Sequence, residues 1–361
     1  MTTDTTVGAA PGRLGDPSLT IGTDPRADPR MVAVFTTLGI DGHADGAPLG
    51  PDAPREQLLG FVEAVEGGFE GLFAALAKDA PPVEGVRDEL VTITAEGGHE
   101  IRLHVHRPDG VDGPLPCIYQ VHGGGMVMLA TEGPLYTHWR RRLAAAGTVV
   151  VGVEYRNGGG VLGPHPFPAG LDDCAEGLRW VHAHLGELGA SHVVVTGDSG
   201  GANLALALAI RAKREGWADE IAGVFAQCPY ILGGSWAEAP RELASLREKD
   251  RYWLNVSLFP VLAAVYDPDG AHAGDPTCWP YAAGVDDVAG LPPHVVTVNE
   301  LDPLRDEGLV YHRLLLRAGV SSVGRINPGL CHVGELLFPA AMPDVYAAAV
   351  RDVTGFARSV A

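Results

Sequence analysis

The sequence predicts an α/β fold: a mostly parallel central sheet with helices on both faces and a helical cap. Three observations carry that prediction. From residue 116 onward, short β-rich runs alternate with helix-periodic stretches, the pattern of a sheet covered on both sides. A β-hairpin pattern precedes them. One interval, 232–285, then breaks the rhythm without a buried strand of its own.

Taken in order, residues 1–30 are rich in Gly, Pro, Asp and Thr and lack periodicity, which describes an arm that wraps or frays. Between Arg55 and Lys78, Leu58, Phe61, Val62, Val65, Phe69, Leu72, Phe73 and Leu76 recur at helical spacing, and Asp79-Ala-Pro-Pro closes the helix. Glu89-Leu-Val-Thr-Ile-Thr, the turn Glu96-Gly-Gly and Glu100-Ile-Arg-Leu-His-Val-His read as the hairpin. Strands are predicted at Pro116–Val121, Thr148–Glu154, His192–Thr196, Ile221–Gln227, His294–Val298 and Ser322–Ile326, with helices near 135–145, 170–185, 201–214, 304–317 and 342–357. The interval 232–285 carries Trp236, Trp253, Leu254, Phe259 and Leu262. In open α/β sheets, insertions follow strand C-termini, where ligands bind. Residues 1–85 are therefore expected to form an arm and cap region, and 86–361 a catalytic domain with a cap insertion at about 232–285.

Composition narrows the function. Hydrophobic residues make up 46% of the chain and charged residues 20%, enough for a large core. A formal charge of -19, from 26 basic against 45 acidic residues, repels phosphate backbones and anionic lipid, which argues against nucleic-acid and membrane partners. Cys117, Cys174, Cys228, Cys278 and Cys331 are odd in number, widely spread and without CxxC spacing, so neither a disulfide framework nor a zinc site is expected. The start, Met1-Thr-Thr-Asp-Thr-Thr, lacks a basic segment followed by an apolar one, and the longest apolar run, Ala202–Ile210, is far too short to span a bilayer. A cytoplasmic protein with reduced thiols is the expectation.

The sharpest motif is Thr196-Gly-Asp-Ser-Gly-Gly-Ala-Asn203, a G-x-S-x-G between the strand His192-Val-Val-Val and a helix beginning near Asn203. A strand-to-helix turn of this kind holds its serine in a strained conformation with small residues around it, and the helix N-terminus favours negative charge developing at Ser199 Oγ. The letters GDSGG also surround the nucleophile of chymotrypsin-like proteases. Those enzymes are all-β and place histidine and aspartate before the serine, so the alternating β and α texture here excludes that reading.

A second motif, Val121-His-Gly-Gly-Gly-Met126, directly follows the strand Pro116–Val121. Consecutive glycines let backbone N–H groups reach a ligand, and acyl transfer needs such donors for the tetrahedral oxyanion. The expected donors are Gly124, Gly125 and Gly200, with Gly123 as a further candidate. Ser199 also needs a base and an orienting carboxylate, in the chain order Ser, Asp or Glu, His. After the strand His294–Val298 comes Asn299-Glu-Leu-Asp-Pro-Leu-Arg-Asp-Glu307, in which Asp302 sits at the strand end and Glu300, Asp306 and Glu307 are rivals read as cap or surface charges. Leu330-Cys-His-Val-Gly follows the last strand, and His332, of 14 histidines, lies in a loop beyond Asp302.

Together these residues carry a resemblance. His122-Gly-Gly-Gly, Tyr155-Arg followed by His165-Pro-Phe-Pro-Ala, Gly197-Asp-Ser-Gly-Gly, Asp302-Pro-Leu-Arg-Asp-Glu-Gly and His332 resemble the hormone-sensitive lipase family of α/β-hydrolases over roughly residues 86–361. The resemblance implies an α/β-hydrolase fold, a triad of Ser199, Asp302 and His332, and a helical cap built from the N-terminus and a late insertion. Similarity to one bacterial esterase of the family further implies a macrocyclic lactone as substrate. Three departures stand out. Gly200 replaces the usual alanine, Met126 replaces a common aromatic, and Tyr155-Arg-Asn-Gly-Gly-Gly160 replaces Tyr-Arg-Leu-Ala-Pro-Glu, which suggests a looser loop near the mouth.

Weaker patterns point to structure rather than chemistry. His104 and His106 share one strand face, but no third metal ligand is evident beside them. Asp267-Pro-Asp-Gly reads as a plain turn, and Cys331 as a packed thiol. No metal and no cofactor is expected. Met126, Met128, Trp236, Trp253 and Phe259 are candidates for an apolar substrate pocket. The expected activity is serine carboxylesterase action on a small soluble ester or lactone, with an amidase or peptidase using the same triad, or a non-catalytic ligand-binding α/β-hydrolase, as the alternatives.

Overall fold

The computed structural model describes residues 12–111, 113–233 and 239–360. Its β-rich runs form an eight-stranded sheet: β1 (Val86–Thr94), β2 (Glu100–Pro108), β3 (Leu115–Val121), β4 (Val149–Glu154), β5 (Ala190–Asp198), β6 (Gly223–Gln227), β7 (His294–Asn299) and β8 (Ser322–Asn327). The spatial order is β1-β2-β4-β3-β5-β6-β7-β8. β1 pairs antiparallel with β2, and β2 antiparallel with β4; every later pair is parallel. The sheet is mostly parallel, as predicted. Every residue of β4, β6 and β7 is buried, because helices cover both faces there. The edge strands β1 and β8 are largely exposed and carry Arg87, Asp88, Glu89 and Arg325, charges that discourage pairing with another chain.

The helices are α1 (Pro29–Leu38), α2 (Arg55–Ala77), α3 (Pro134–Ala145), α4 (Ala169–Ala183), α5 (Leu185–Leu188), α6 (Gly200–Glu215), α7 (Ser245–Glu248), α8 (Leu258–Tyr266), α9 (Val285–Val288), α10 (Arg305–Arg317), α11 (Gly334–Leu337) and α12 (Pro343–Ser359). The apolar run Ala202–Ile210 is explained by α6, which is buried all round from Gly200 to Ile210. Leu204, Leu206 and Leu208 are fully buried, each contributing about 1.5–3 kcal/mol of hydrophobic stabilisation. Gly216, at φ 81°, ends the helix, and its N–H donates to the carbonyls of Ala212 and Lys213. No helix of the described residues is long and apolar enough to cross a membrane.

The arm does not fray over its described part. Residues 29–38 form α1, a helix not predicted, which begins where the stretch 1–30 read as aperiodic ends. Its punctuation was nevertheless present: the Asp28 side chain accepts the Arg30 N–H, Pro29 occupies the first turn and Gly39 closes it at φ 71°. Ile21, Met31 and Phe35 are fully buried against the body. Asp24 accepts Tyr252 Oη–H at 2.9 Å, and Arg26 donates to Glu248 Oε1 at 3.0 Å, so the arm is tied to the insertion 232–285. That insertion contains α7, α8 and short turns.

Candidate active site

Ser199 is the single residue between β5 and α6, at φ 54° and ψ −119°. Such a conformation costs a residue with a side chain on the order of 1–3 kcal/mol and persists only where the surroundings impose it. Here they do. The Ser199 N–H donates to the Gln227 carbonyl at 2.9 Å, and the Ser199 carbonyl accepts from Asn203 N–H (3.1 Å) and Tyr230 N–H (3.2 Å). A Cβ on Gly201 would lie 2.2 Å from the Val121 carbonyl oxygen, so only glycine lets α6 start this close to the end of β3.

The glycine loop leaves β3 at Val121 and meets this turn. Gly123 N–H donates to Tyr136 Oη at 2.9 Å, and Tyr136 in turn donates to Asp198 Oδ2 at 2.9 Å. That bond removes Gly123 from the expected oxyanion donors, since its only N–H is spent. Gly124 and Gly125 have no acceptor for theirs among the described residues, and both line a cleft with Ser199. Gly200 is the first residue of α6, so its N–H has no partner within the helix.

Behind the cleft the loop is pinned from two directions. Gly158 N–H donates to Met126 O at 2.9 Å, Gly159 N–H to Val127 O at 3.1 Å, and Asn157 Nδ2 to Leu129 O at 2.7 Å. The Tyr155–Gly160 stretch is therefore not a looser loop at the mouth; its glycines let it lie against the segment that follows the glycine triplet. From α2, the buried Glu66 accepts Leu129 N–H at 2.7 Å and Val161 N–H at 2.8 Å.

Asp302 follows β7, and His332 lies between β8 and α11. Their side chains meet at 2.8 Å, Nδ1 to Oδ2, and both are buried. The rival acids are engaged elsewhere. Glu300 accepts Gly329 N–H and Asp306 accepts Ser245 N–H. Glu307 is no surface charge: it is buried and accepts Ile231 N–H, with burial pushing its carboxyl well up. Burial alone would depress His332, but the charge and hydrogen bond of Asp302, reinforced by Asp198 and Glu335, outweigh it and raise the imidazole above its ordinary value. Burial pushes Asp198 up to about 7 against the lowering effect of Tyr136 and His332. Glu335, which accepts Asn299 Nδ2 at 2.6 Å and Gln227 Nε2 at 3.1 Å, is also raised by burial.

Ser199 and His332 open into one cleft with about 620 Å³ of unfilled space, lined almost wholly by apolar side chains. Of the pocket candidates, Met128, Trp253 and Phe259 line it. Met126 is buried but is not among the residues that line it. Trp236 lies outside the described residues. Phe69 and Phe73 of α2, with Leu258 and Leu262, were missed as lining residues. Helical spacing marked the two phenylalanines as apolar but could not show that α2 crosses over the site. Behind the wall, Phe35 of α1 stacks near Trp253 (6.1 Å), Trp253 lies 6.3 Å from the His332 ring, and Met31 Sδ accepts Cys331 N–H at 3.4 Å. Cys331 is packed, and burial pushes its thiol well up.

Among the described residues, two groups of donor atoms lie within 4.8 Å of one another, Cys228 with Asp302 and His332, and His104 with Glu132 and Glu154. In the first, imidazole and carboxylate are already hydrogen-bonded to each other. The second supplies neighbours that the sequence had not shown for His104, but Arg102 stands 3.9 Å from each carboxylate and already counters their charge. His106 points to Asp88 and Arg140 instead. The Asp267 turn is held by its own carboxylate, which accepts His272 N–H at 3.0 Å and Trp279 Nε1–H at 3.2 Å.

Comparison with known proteins agrees with this fold. Residues 118–336 match a family model described as an alpha/beta hydrolase fold. The chain is 33% identical over 286 residues to carboxylesterase NlhH of Mycobacterium tuberculosis, covering 76% of this chain and 83% of that one. Among solved structures it is similar to brefeldin A esterase, a bacterial homologue of human hormone-sensitive lipase, at a TM-score of 0.94 and 44% identity, covering 98% of this chain and 99% of the other. It is likewise similar to esterase Est22, with a TM-score of 0.83 and 36% identity over 94% of this chain and 99% of that one.

Proposed function

Since the chain belongs to the hormone-sensitive lipase family of α/β-hydrolases and is a carboxylic-ester hydrolase, we propose that it cleaves compact apolar esters, macrocyclic lactones among them, through an acyl-enzyme on Ser199. One observation carries this reading. The Asp302–His332 pair, the strained Ser199 turn and the N–H groups of Gly124 and Gly125, which have no acceptor among the described residues, converge on a single apolar cleft.

In that geometry His332 Nε2 removes the Ser199 proton as Oγ attacks the ester carbonyl. Asp302 holds the imidazole in the tautomer with its proton on Nδ1 and stabilises the imidazolium. Gly124, Gly125 and Gly200 donate to the oxyanion. His332 then protonates the departing alkoxide, and water, activated by the same imidazole, attacks the acyl-enzyme and releases the acid. A cleft walled by Phe69, Phe73, Trp253 and Leu262 desolvates an apolar acyl group or ring and offers few partners for a polar one.

The likeness to brefeldin A esterase supports a lactone substrate. There the leaving alcohol stays tethered to the acyl group, so re-closure competes with water. The test is a series of p-nitrophenyl esters of increasing chain length run beside brefeldin A, with fluorophosphonate labelling of the wild type and Ser199→Ala. Labelling at Ser199 and loss of hydrolysis in the variant are expected. Full ester hydrolysis by Ser199→Ala would refute the mechanism, and turnover of the aryl esters without brefeldin A would remove the lactone.

A further inference from the structure

Ser199, Asp302, His332 and the glycine N–H groups leave one buried acid beside the nucleophile, Asp198, without a part in the chemistry. Its surroundings are specific. The Tyr136 hydroxyl has a single proton and gives it to Asp198 Oδ2 at 2.9 Å, so its lone pairs are what Gly123 N–H meets at 2.9 Å. A one-way chain of donors therefore runs from the glycine loop, through α3, to the residue preceding Ser199. All three members are shut away from solvent or nearly so. The packing is close as well: a Cβ on Gly123 would lie 2.4 Å from Asp198 Oδ2 and 2.8 Å from Tyr136 Oη.

We propose that Asp198 and Tyr136 are positioning residues for ester hydrolysis: they fix which N–H groups of the glycine loop face the oxyanion, and they set part of the charge felt by His332. The proposal rests on the roles given above to Ser199, His332 and the glycine loop. Tyr136 acts on the loop. By taking the Gly123 N–H it fixes that peptide plane on the wall of the cleft, where Tyr136 and Asp198 also stand, and leaves Gly124 and Gly125 as the donors beside Ser199. Without the hydroxyl, a buried N–H loses its acceptor and the peptide can rotate to find another.

Asp198 acts on the base. Tyr136 from α3 is hydrogen-bonded to it, His332 from the loop after β8 lines the same cleft, and the charges of His332 and of Glu335 from α11 reach it. The charges that reach His332 are those of Asp302, Asp198 and Glu335. Each of these carboxylates, when ionised, favours the imidazolium that forms as Ser199 attacks. Burial brings Asp198 up to about 7, so its own charge changes across the range in which His332 works.

Two variants separate this from a merely structural role. Asp198→Asn keeps the size and leaves an oxygen to accept the Tyr136 proton, while removing the charge. It is expected to move the acid limb of the kcat/KM profile to lower pH by about one unit. Tyr136→Phe is expected to lower kcat about 10–100-fold with KM nearly unchanged, since a displaced oxyanion donor is felt in the transition state. Both are assayed at temperatures where circular dichroism shows the fold intact. An acid limb left in place by Asp198→Asn, or a kcat untouched by Tyr136→Phe, overturns the proposal. If Ser199→Ala is dead and the two variants still take the fluorophosphonate, that failure belongs to this proposal alone. Activity surviving in Ser199→Ala is instead a failure of the catalytic reading beneath it.

Discussion

Nδ1 of His332 lies 2.8 Å from Oδ2 of Asp302, while Oδ1 of the same carboxylate accepts the Leu304 N–H at 2.8 Å. Both oxygens are therefore committed, and the carboxylate cannot rotate. Asp302→Asn supplies one acceptor where two are needed. If the amide oxygen keeps the Leu304 N–H, its NH₂ faces Nδ1, and the imidazole must carry its proton on Nε2, where it cannot take one from Ser199. A fall in kcat of about 10³–10⁴-fold is expected, read from single-ester kinetics. A loss below tenfold would mean that the pairing does not orient the base.

The pH dependence follows from the same contact. The base must be neutral to act, and His332 is held above the ordinary histidine value because Asp302, with Asp198 and Glu335, overcomes the effect of burial. Activity is thus lost as pH falls through a raised pKa. The kcat/KM profile is expected to have its acid midpoint above the ordinary histidine value of about 6.5. A midpoint below that value would show burial winning over the carboxylates.

Which parts of this were legible in the sequence has a physical explanation. The residues gathered at the cleft were, because a strand-to-helix turn, a glycine loop and an acid and a histidine at strand ends are each set by a short stretch of chain, and these held Ser199, Gly124, Gly125, Asp302 and His332. What escaped depended on contacts across the fold. Gly123 looks identical to its neighbours until Tyr136, on another element, takes its N–H. Phe69 and Phe73 look like core until α2 is laid over the cleft. Three glycines at 158–160 suggest a loose loop, yet Gly158 and Gly159 donate to Met126 and Val127.

Glu66 joins α2 to that same loop, which makes it a test of how the covering helix stabilises the site. Glu66→Ala leaves the buried Leu129 N–H without an acceptor and deletes the bond to Val161. A loss of about 2–4 kcal/mol in unfolding free energy is expected, measured by urea denaturation. A stability within 0.5 kcal/mol (~ experimental scatter for a surface change) would show that water replaces the carboxylate without cost.

Substrate size should be set by the aromatic wall. Phe69 and Phe73 are only partly buried because one side of each faces the cleft. Replacing either by alanine lengthens the space available to an acyl chain. Preference for a long over a short p-nitrophenyl ester, as a ratio of kcat/KM, is expected to rise about tenfold. An unchanged ratio would move the acyl group to another wall.

Gly200 tests how closely the loop and the nucleophile turn fit. Alanine is the usual residue after the nucleophile in the family this chain resembles, and at the first position of a helix it is worth up to about 1 kcal/mol over glycine. Here a Cβ would lie 2.6 Å from the nitrogens of both Gly125 and Met126. Those are backbone atoms, and Gly158, Gly159 and Asn157 hold the segment from behind, so it cannot yield as a flexible side chain would. Overpacking of this kind costs about 1–3 kcal/mol, more than the helix propensity returns. Gly200→Ala is therefore expected to lower the melting temperature and to reduce kcat about tenfold by moving the Gly125 N–H away from the oxyanion, with KM little changed. A variant as stable and as active as the wild type would show that the loop moves freely, and with it the claim that Gly125 is held in place for catalysis would fall.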